Sequence, residues 1–138
     1  MILALDTNSL SFVDPENFGS PVPIKVVRRS DDIPILIQLI MDGGIVTPLD
    51  ASLELFVTVE GDYTSLLASV PSFTIEGSGA EGGFVGDLDL GVAAVDALFT
   101  DGTVADAAAI LEVRITDGDG VITSLPLNLT IQNSYIAP

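Results

Sequence analysis

The chain contains no Cys, no His and no Trp. Without His it lacks the ordinary general base and the ordinary neutral metal ligand. Without Cys it has no thiol nucleophile, no thiolate metal site and no disulfide framework. Positive charge is nearly absent as well: 4 Lys and Arg stand against 20 Asp and Glu, a formal net charge of −16 over 138 residues. Phosphate backbones recruit clusters of Lys and Arg, so nucleic acid is not an expected partner. These gaps together point to a protein that is not an enzyme and that carries neither a cofactor nor a metal.

Long hydrophobic runs are also missing. The longest uncharged apolar stretch, Ile33 to Met41, contains Pro34 and Gln38 and falls far short of the roughly 20 residues that a spanning helix needs. No membrane partner is therefore expected. Met1 to Leu5 is apolar, but no basic residue precedes it and Asp6 follows at once, which argues against a signal peptide. The sequon Asn128-Leu129-Thr130 lies in an expected strand and reads as chance.

What the chain does have is apolar surface. Hydrophobic residues make up 48%, and counting the 13 Gly while leaving out the 2 Tyr brings the apolar share to roughly 56%, above the usual share of about 45–50%. Charged residues reach only 17%, where about 25% is ordinary. High negative charge suggests disorder only when hydrophobicity is low, so the chain is expected to fold. Its size allows one core, and the excess apolar surface is expected to meet another subunit.

Charge is unevenly placed. Lys25, Arg28 and Arg29 balance Asp6, Asp14 and Glu16, so residues 1–30 are neutral, while Arg114 faces the remaining 17 carboxylates alone. Residues 1–23 hold Pro15, Pro21 and Pro23 with little periodicity, which predicts an extended N-terminal arm. Its apolar residues Met1, Ile2, Leu3, Leu5, Phe12 and Phe18, with the neighbouring Lys25, Arg28 and Arg29, are the expected assembly contacts. Residues 24–138 form the expected domain.

From Ile24 onward the period is two. Ile33, Ile35, Ile37 and Leu39 alternate up to the break at Asp42-Gly43-Gly44; Leu53, Leu55, Val57 and Val59 form the next set, ending at Gly61-Asp62. Leu111, Val113 and Ile115 run to Asp117-Gly118-Asp119-Gly120, and Leu125, Leu127, Leu129 and Ile131 share one face of a last run from Val121 to Gln132. Short alternating strands divided by Gly and Asp turns predict an all-β antiparallel sandwich of seven or eight strands. Val92, Val95, Leu98 and Phe99 have helical spacing instead, closed by Asp101-Gly102. They predict one short helix crossing between the sheets, with continuation through Ala109 left open by the Ala-rich stretch. Gly77 to Gly83 reads as a mobile loop.

Chemistry-bearing motifs are few. Asp117-Gly118-Asp119-Gly120 opens like a calcium loop, but no downstream Glu completes one and Asp-Gly favours a tight hairpin turn. Asp31, Asp32, Asp87 and Asp89 would have to meet across loops to hold a cation. Carboxylate pairs for glycoside hydrolysis lack an aromatic sugar platform, with two Tyr and no Trp. Gly77-Ser78-Gly79 lacks the Lys-Ser/Thr of a phosphate-binding loop.

Arg29-Ser30-Asp31-Asp32, the strand Ile33 to Met41 and the turn Asp42-Gly43-Gly44 resemble the opening of immunoglobulin-like domains in bacteriophage tail-fibre and baseplate proteins. Ser30 stands where that family usually has Gly. Leu53-Glu54-Leu55-Phe56-Val57 is similar to their next strand. Leu111-Glu112-Val113-Arg114-Ile115, a Gly turn and Leu127 to Asn133 are similar to their closing hairpin. The resemblance covers residues 24–136 in pattern more than identity. It implies an immunoglobulin-like sandwich and a virion structural role, assembled in the host cytoplasm, with other virion subunits or repeated copies of the chain as partners. It brings no catalytic residues. A head decoration protein is the alternative within that class; a calcium-dependent or carbohydrate-binding adhesion module is the alternative outside it.

Overall fold

The structure is a computed structural model that describes residues 1–22, 24–77, 82–100 and 104–133. Thirteen strands and one short helix are formed by the described residues. In chain order the strands are β1 (Ile2–Asp6), β2 (Ser11–Asp14), β3 (Asn17–Pro21), β4 (Lys25–Arg28), β5 (Asp32–Met41), β6 (Gly44–Val46) and β7 (Ser52–Val59). They continue with β8 (Asp62–Val70), β9 (Thr74–Glu76), β10 (Gly83–Asp89), β11 (Asp106–Asp117), β12 (Gly120–Thr123) and β13 (Leu127–Gln132). One sheet runs β3-β2-β1-β5-β10-β9, with β6 also on β5; the other runs β4-β13-β11-β7-β8, with β12 also on β11. The expected all-β sandwich is thus present, with more strands than the seven or eight expected.

The core explains the pairing. Period-two apolar positions put alternate side chains on one face, and both sheets turn that face inward. Leu3, Leu5, Ile35, Ile37, Leu39, Phe84 and Leu88 meet Leu55, Val57, Leu111, Val113, Leu129 and Ile131 in one buried cluster. The register aligns apolar with apolar across the strands, Leu55 opposite Val113 and Val57 opposite Leu111. At Gly86 the packing leaves no room for a side chain: a Cβ there would lie 2.9 Å from Val70 Cγ1 and 3.0 Å from the Phe73 ring.

Turn chemistry follows the sequence closely. Asp42 and Gly43, at φ 51° and 80°, make the two-residue turn between β5 and β6, as an Asp-Gly hairpin with both central residues left-handed requires. Asp117 pairs with Gly120 across Gly118-Asp119, and Asp117 Oδ1 accepts the Asp119 N–H at 2.8 Å. That segment is a hairpin turn.

The helix α1 (Ala93–Asp96), followed by a 3-10 turn at Ala97–Phe99, connects β10 of one sheet to β11 of the other. It is the expected crossover, with Val95 and Phe99 buried. It does not continue to Ala109. Residues 106–109 belong to β11, which is paired on both sides by β7 and β13, and these ladders override the Ala helix propensity. The Asp101-Gly102 stop and residues 78–81 of the Gly-rich segment lie outside the described residues.

Three expectations need correction. The N-terminal segment is not an arm: β1 pairs with β2 and β5, and Leu3, Leu5 and Phe12 are buried in the core of their own chain. The sandwich is not wholly antiparallel, because β1 lies parallel to β5 and β4 parallel to β13. Parallel neighbours need a long crossover, which β2, β3 and β4 supply between β1 and β5. The run from Val121 to Gln132 is two strands rather than one. Ser124 Oγ accepts the Val113 N–H at 2.9 Å. The Leu125 N–H then turns to the Leu10 carbonyl at 2.8 Å, and Pro126 has no N–H to continue a ladder. Leu125 is left exposed.

Candidate interaction surfaces

The residues expected to make assembly contacts fall into four groups. Leu3, Leu5 and Phe12 point into the core and are unavailable. Phe18 packs on Ala4, Val13, Ile40 and Ile45 as a small second cluster, and that cluster occupies the sheet face turned away from the main core. Only Met1, Ile2, Lys25 and Arg28 retain contact positions at the surface, and the fold divides them between two places.

The first place is the outer face of the β1 sheet. The row Ile2, Leu36, Val85 and Thr74 runs across β1, β5, β10 and β9 in register. It opens into a groove of about 660 Å³, edged by Met1, Pro34, Glu76 and Asp87. The Met1 ammonium donates to the Pro34 carbonyl at 2.7 Å. Carboxylates gather at this end: Asp32 lies directly opposite Asp89, and Asp87 opposite Pro34. No cation forms an ion pair with them among the described residues. Asp31, Asp32, Asp87 and Asp89 do not make a metal cluster; no group of three His, Cys, Asp or Glu arranged for a metal occurs among the described residues.

The second place is the β4 edge of the other sheet. Val27 points inward and is buried, whereas Ile24 and Val26 are 62% and 57% exposed. Arg28 follows them on the same face by the period-two rule, and Lys25, opposite Leu129, lies half-buried on the other side of the strand. Leu125, 55% exposed, sits beside them. A smaller groove of about 230 Å³ between Phe12, Pro21, Val22, Ile24, Leu125 and Leu127 completes the patch.

Arg29 is committed elsewhere. Its guanidinium donates to Asn133 Oδ1 at 2.7 Å and to Asp96 Oδ1 at 3.1 Å, and lies 5.4 Å from the centroid of the Phe99 ring. The fourth cation, Arg114, stacks over Phe56 at 5.0 Å. Sequence reasoning grouped Arg29 with its neighbours by charge alone. It also missed Ile24, Val26 and Leu125, although Ile24-Lys25-Val26-Val27-Arg28 carries the signal of an edge strand apolar on both faces.

A distinct electrostatic feature lies at the β7–β8 turn, where Gly61 adopts φ 82°. Asp62 Oδ2 accepts from Ser65 Oγ at 2.6 Å, while Oδ1 accepts from Thr64 Oγ1 at 2.6 Å and the Thr64 N–H at 3.1 Å. The Ser65 bond first, then those from Thr64, holds the Asp62 carboxyl below its ordinary value. These bonds fold the turn back on itself and create no cleft.

No protein-family model matches the chain, and no curated protein does. Among solved structures the chain is similar to the N-terminal domain of phage TP901-1 ORF48, with 14% identity and a TM-score of 0.46 over 96% of this chain and 97% of that chain.

Proposed function

We propose that the chain is a non-enzymatic structural subunit of a bacteriophage virion, an adaptor of the tail-fibre or baseplate kind that packs against neighbouring subunits. The observation that carries the packing role is the β4 edge, where Ile24, Val26 and Leu125 stand exposed beside Arg28. Contiguous apolar surface rimmed by charge is the composition of a contact site rather than of an inert surface. The virion assignment draws on the resemblance of residues 24–136 to immunoglobulin-like domains of tail-fibre and baseplate proteins. An apolar, acidic sandwich whose identified surfaces are built for contact suits that role.

Electron microscopy of purified particles with a gold-labelled antibody against this chain tests the proposal. Label at the distal end of the tail is expected. Label over the head would make the chain a decoration protein, and particles free of the chain would overturn the virion reading. An adhesion module would instead show a melting point raised by millimolar calcium at matched ionic strength, because a cation bound only by the folded state must stabilise it.

A further inference from the structure

The two surfaces described above are complementary, and the structure points to what covers each of them. We infer that the β4 edge of one copy docks into the groove over Ile2, Leu36 and Val85 of a second copy, so that copies join head to tail. The inference rests on the subunit-packing reading and names its partner.

The β4 edge presents an apolar pair, Ile24 and Val26, followed on the same face by Arg28, with Lys25 behind it. The groove presents an apolar floor, Ile2, Leu36 and Val85, edged by Glu76 and Asp87 and continued by Asp89 and Asp32. Apolar surface thus meets apolar surface, and cations meet carboxylates.

Charge narrows the choice of partner. Neither Lys25 nor Arg28 forms an ion pair among the described residues, and neither do the groove carboxylates. Arg29 and Arg114 are held within their own fold, so Arg28 is the side-chain cation that the docking face presents to a neighbour, with Lys25 adding positive charge from the other side of the edge strand. Asp32 facing Asp89 is a like-charge cross-strand pair, destabilising in an isolated chain. A cation delivered by a second copy relieves it. A Lys on an edge strand also guards against strand pairing, but that role does not account for the exposed Ile24 and Val26 on the face. Opposite charges across the contact set its register and speed of association. The donor edge and the acceptor groove lie on different sheets, so one copy engages two neighbours and the contact is heterologous, closing as a ring or extending as a chain.

Sedimentation velocity on the full chain at 50 and 500 mM NaCl provides the test. Wild type is expected to associate at tens of micromolar. Each copy carries a net charge of −16, so salt screens the overall repulsion as well as the local attraction, and the charge-reversal variants decide the pairing. The double variants Lys25→Glu/Arg28→Glu and Glu76→Lys/Asp87→Lys are each expected to be monomeric, with unchanged circular dichroism and cooperative melting. Their equimolar mixture should associate in alternating order, because the native edge of one variant meets the native groove of the other and the two reversed surfaces also match in charge. Glu76→Lys/Asp87→Lys lowers the net negative charge, so stronger self-association of that variant alone would mean general charge repulsion and overturn the inference. A mixture that stays monomeric would overturn it too. A wild-type chain that is monomeric at every concentration overturns self-docking specifically. Packing on a different subunit is judged separately, by the labelled particles.

Discussion

The Arg29 guanidinium and the Asp96 carboxylate lie 3.1 Å apart although 67 residues separate them in the chain. The contact ties the end of β4 to the crossover helix, and the bond from Arg29 to Asn133 adds the end of β13. The backbone joins in, since the Arg29 N–H donates to the Gln132 carbonyl at 2.9 Å. Three segments therefore converge on one cation at the point where the chain passes between sheets.

Arg29→Ala is expected to cost about 1–3 kcal/mol in urea denaturation. Asp96 is half exposed, so its ion pair contributes little. Most of the loss comes from the charged hydrogen bond to the part-buried Asn133 and from the contact with Phe99. Arg28→Ala, one residue earlier and exposed, should change stability by less than about 0.5 kcal/mol. Equal effects of the two substitutions would show that the Arg29 contacts are not structural.

The N-terminal strand yields a sharper test. Leu5 is fully buried between Phe12 on β2 and Leu39 on β5, its register partners. Leu5→Ala should therefore cost about 2–5 kcal/mol, as much as Leu55→Ala in the opposite sheet. Ile2→Ala, at an exposed position, should cost much less. A chain beginning at Ile24 loses β1, β2 and β3 with their share of the core, and is expected to lose cooperative melting. A melting midpoint unchanged by Leu5→Ala would restore the arm.

These substitutions mark where the sequence is readable and where it is not. Ile35, Ile37, Leu55, Val57, Val113 and Leu129 all lie in the core, because period two is a local property of the strand and needs no knowledge of its neighbours. The Asp42-Gly43 turn and the short crossover helix were legible for the same reason. Residues 1–23 were not. Their strands are four or five residues long and broken by turns at Thr7–Leu10 and Pro15-Glu16, too short to display a period. What holds them is a parallel ladder to β5, more than 30 residues away. Leu125 misled in the opposite direction: it keeps the period of Leu127 and Leu129, yet a hydrogen bond to Leu10 in the turn between β1 and β2 pulls it out of the strand. The surface patches are the least legible element, because each joins residues from several strands whose order appears only in the folded chain.

Gly86 is constrained by space rather than by backbone angle. Gly86→Ala should cost about 1–3 kcal/mol, the usual penalty of overpacking a filled core. Val70 and Phe73 are the atoms in the way, so the cost should shrink in a Val70→Ala background, a coupling of about 0.5 kcal/mol or more in a double-mutant cycle. Strict additivity of the two changes would mean that the glycine serves some other purpose.

Asp62 links the β7–β8 turn to pH. Hydrogen bonds from Ser65 and then Thr64 stabilise its charged form and depress its pKa in the folded chain. The folded state therefore binds this proton less readily than the unfolded state, whose Asp titrates near the ordinary value of about 3.9. The stabilisation is fully present above that value and is lost as pH falls through the lower, folded value. Asp62→Asn removes a group that resists acid protonation, so its denaturation midpoint should decline less than the wild type's between pH 5 and 2.5. At pH 7 the same variant should be the less stable of the two, since the amide can accept the Thr64 and Ser65 bonds only without charge assistance. Ser65→Ala should reproduce part of both effects, because it deletes the bond with the greatest influence on the carboxyl. Parallel acid profiles for wild type and Asp62→Asn, measured by chemical denaturation at fixed ionic strength, would show that the turn does not couple this carboxylate to folding.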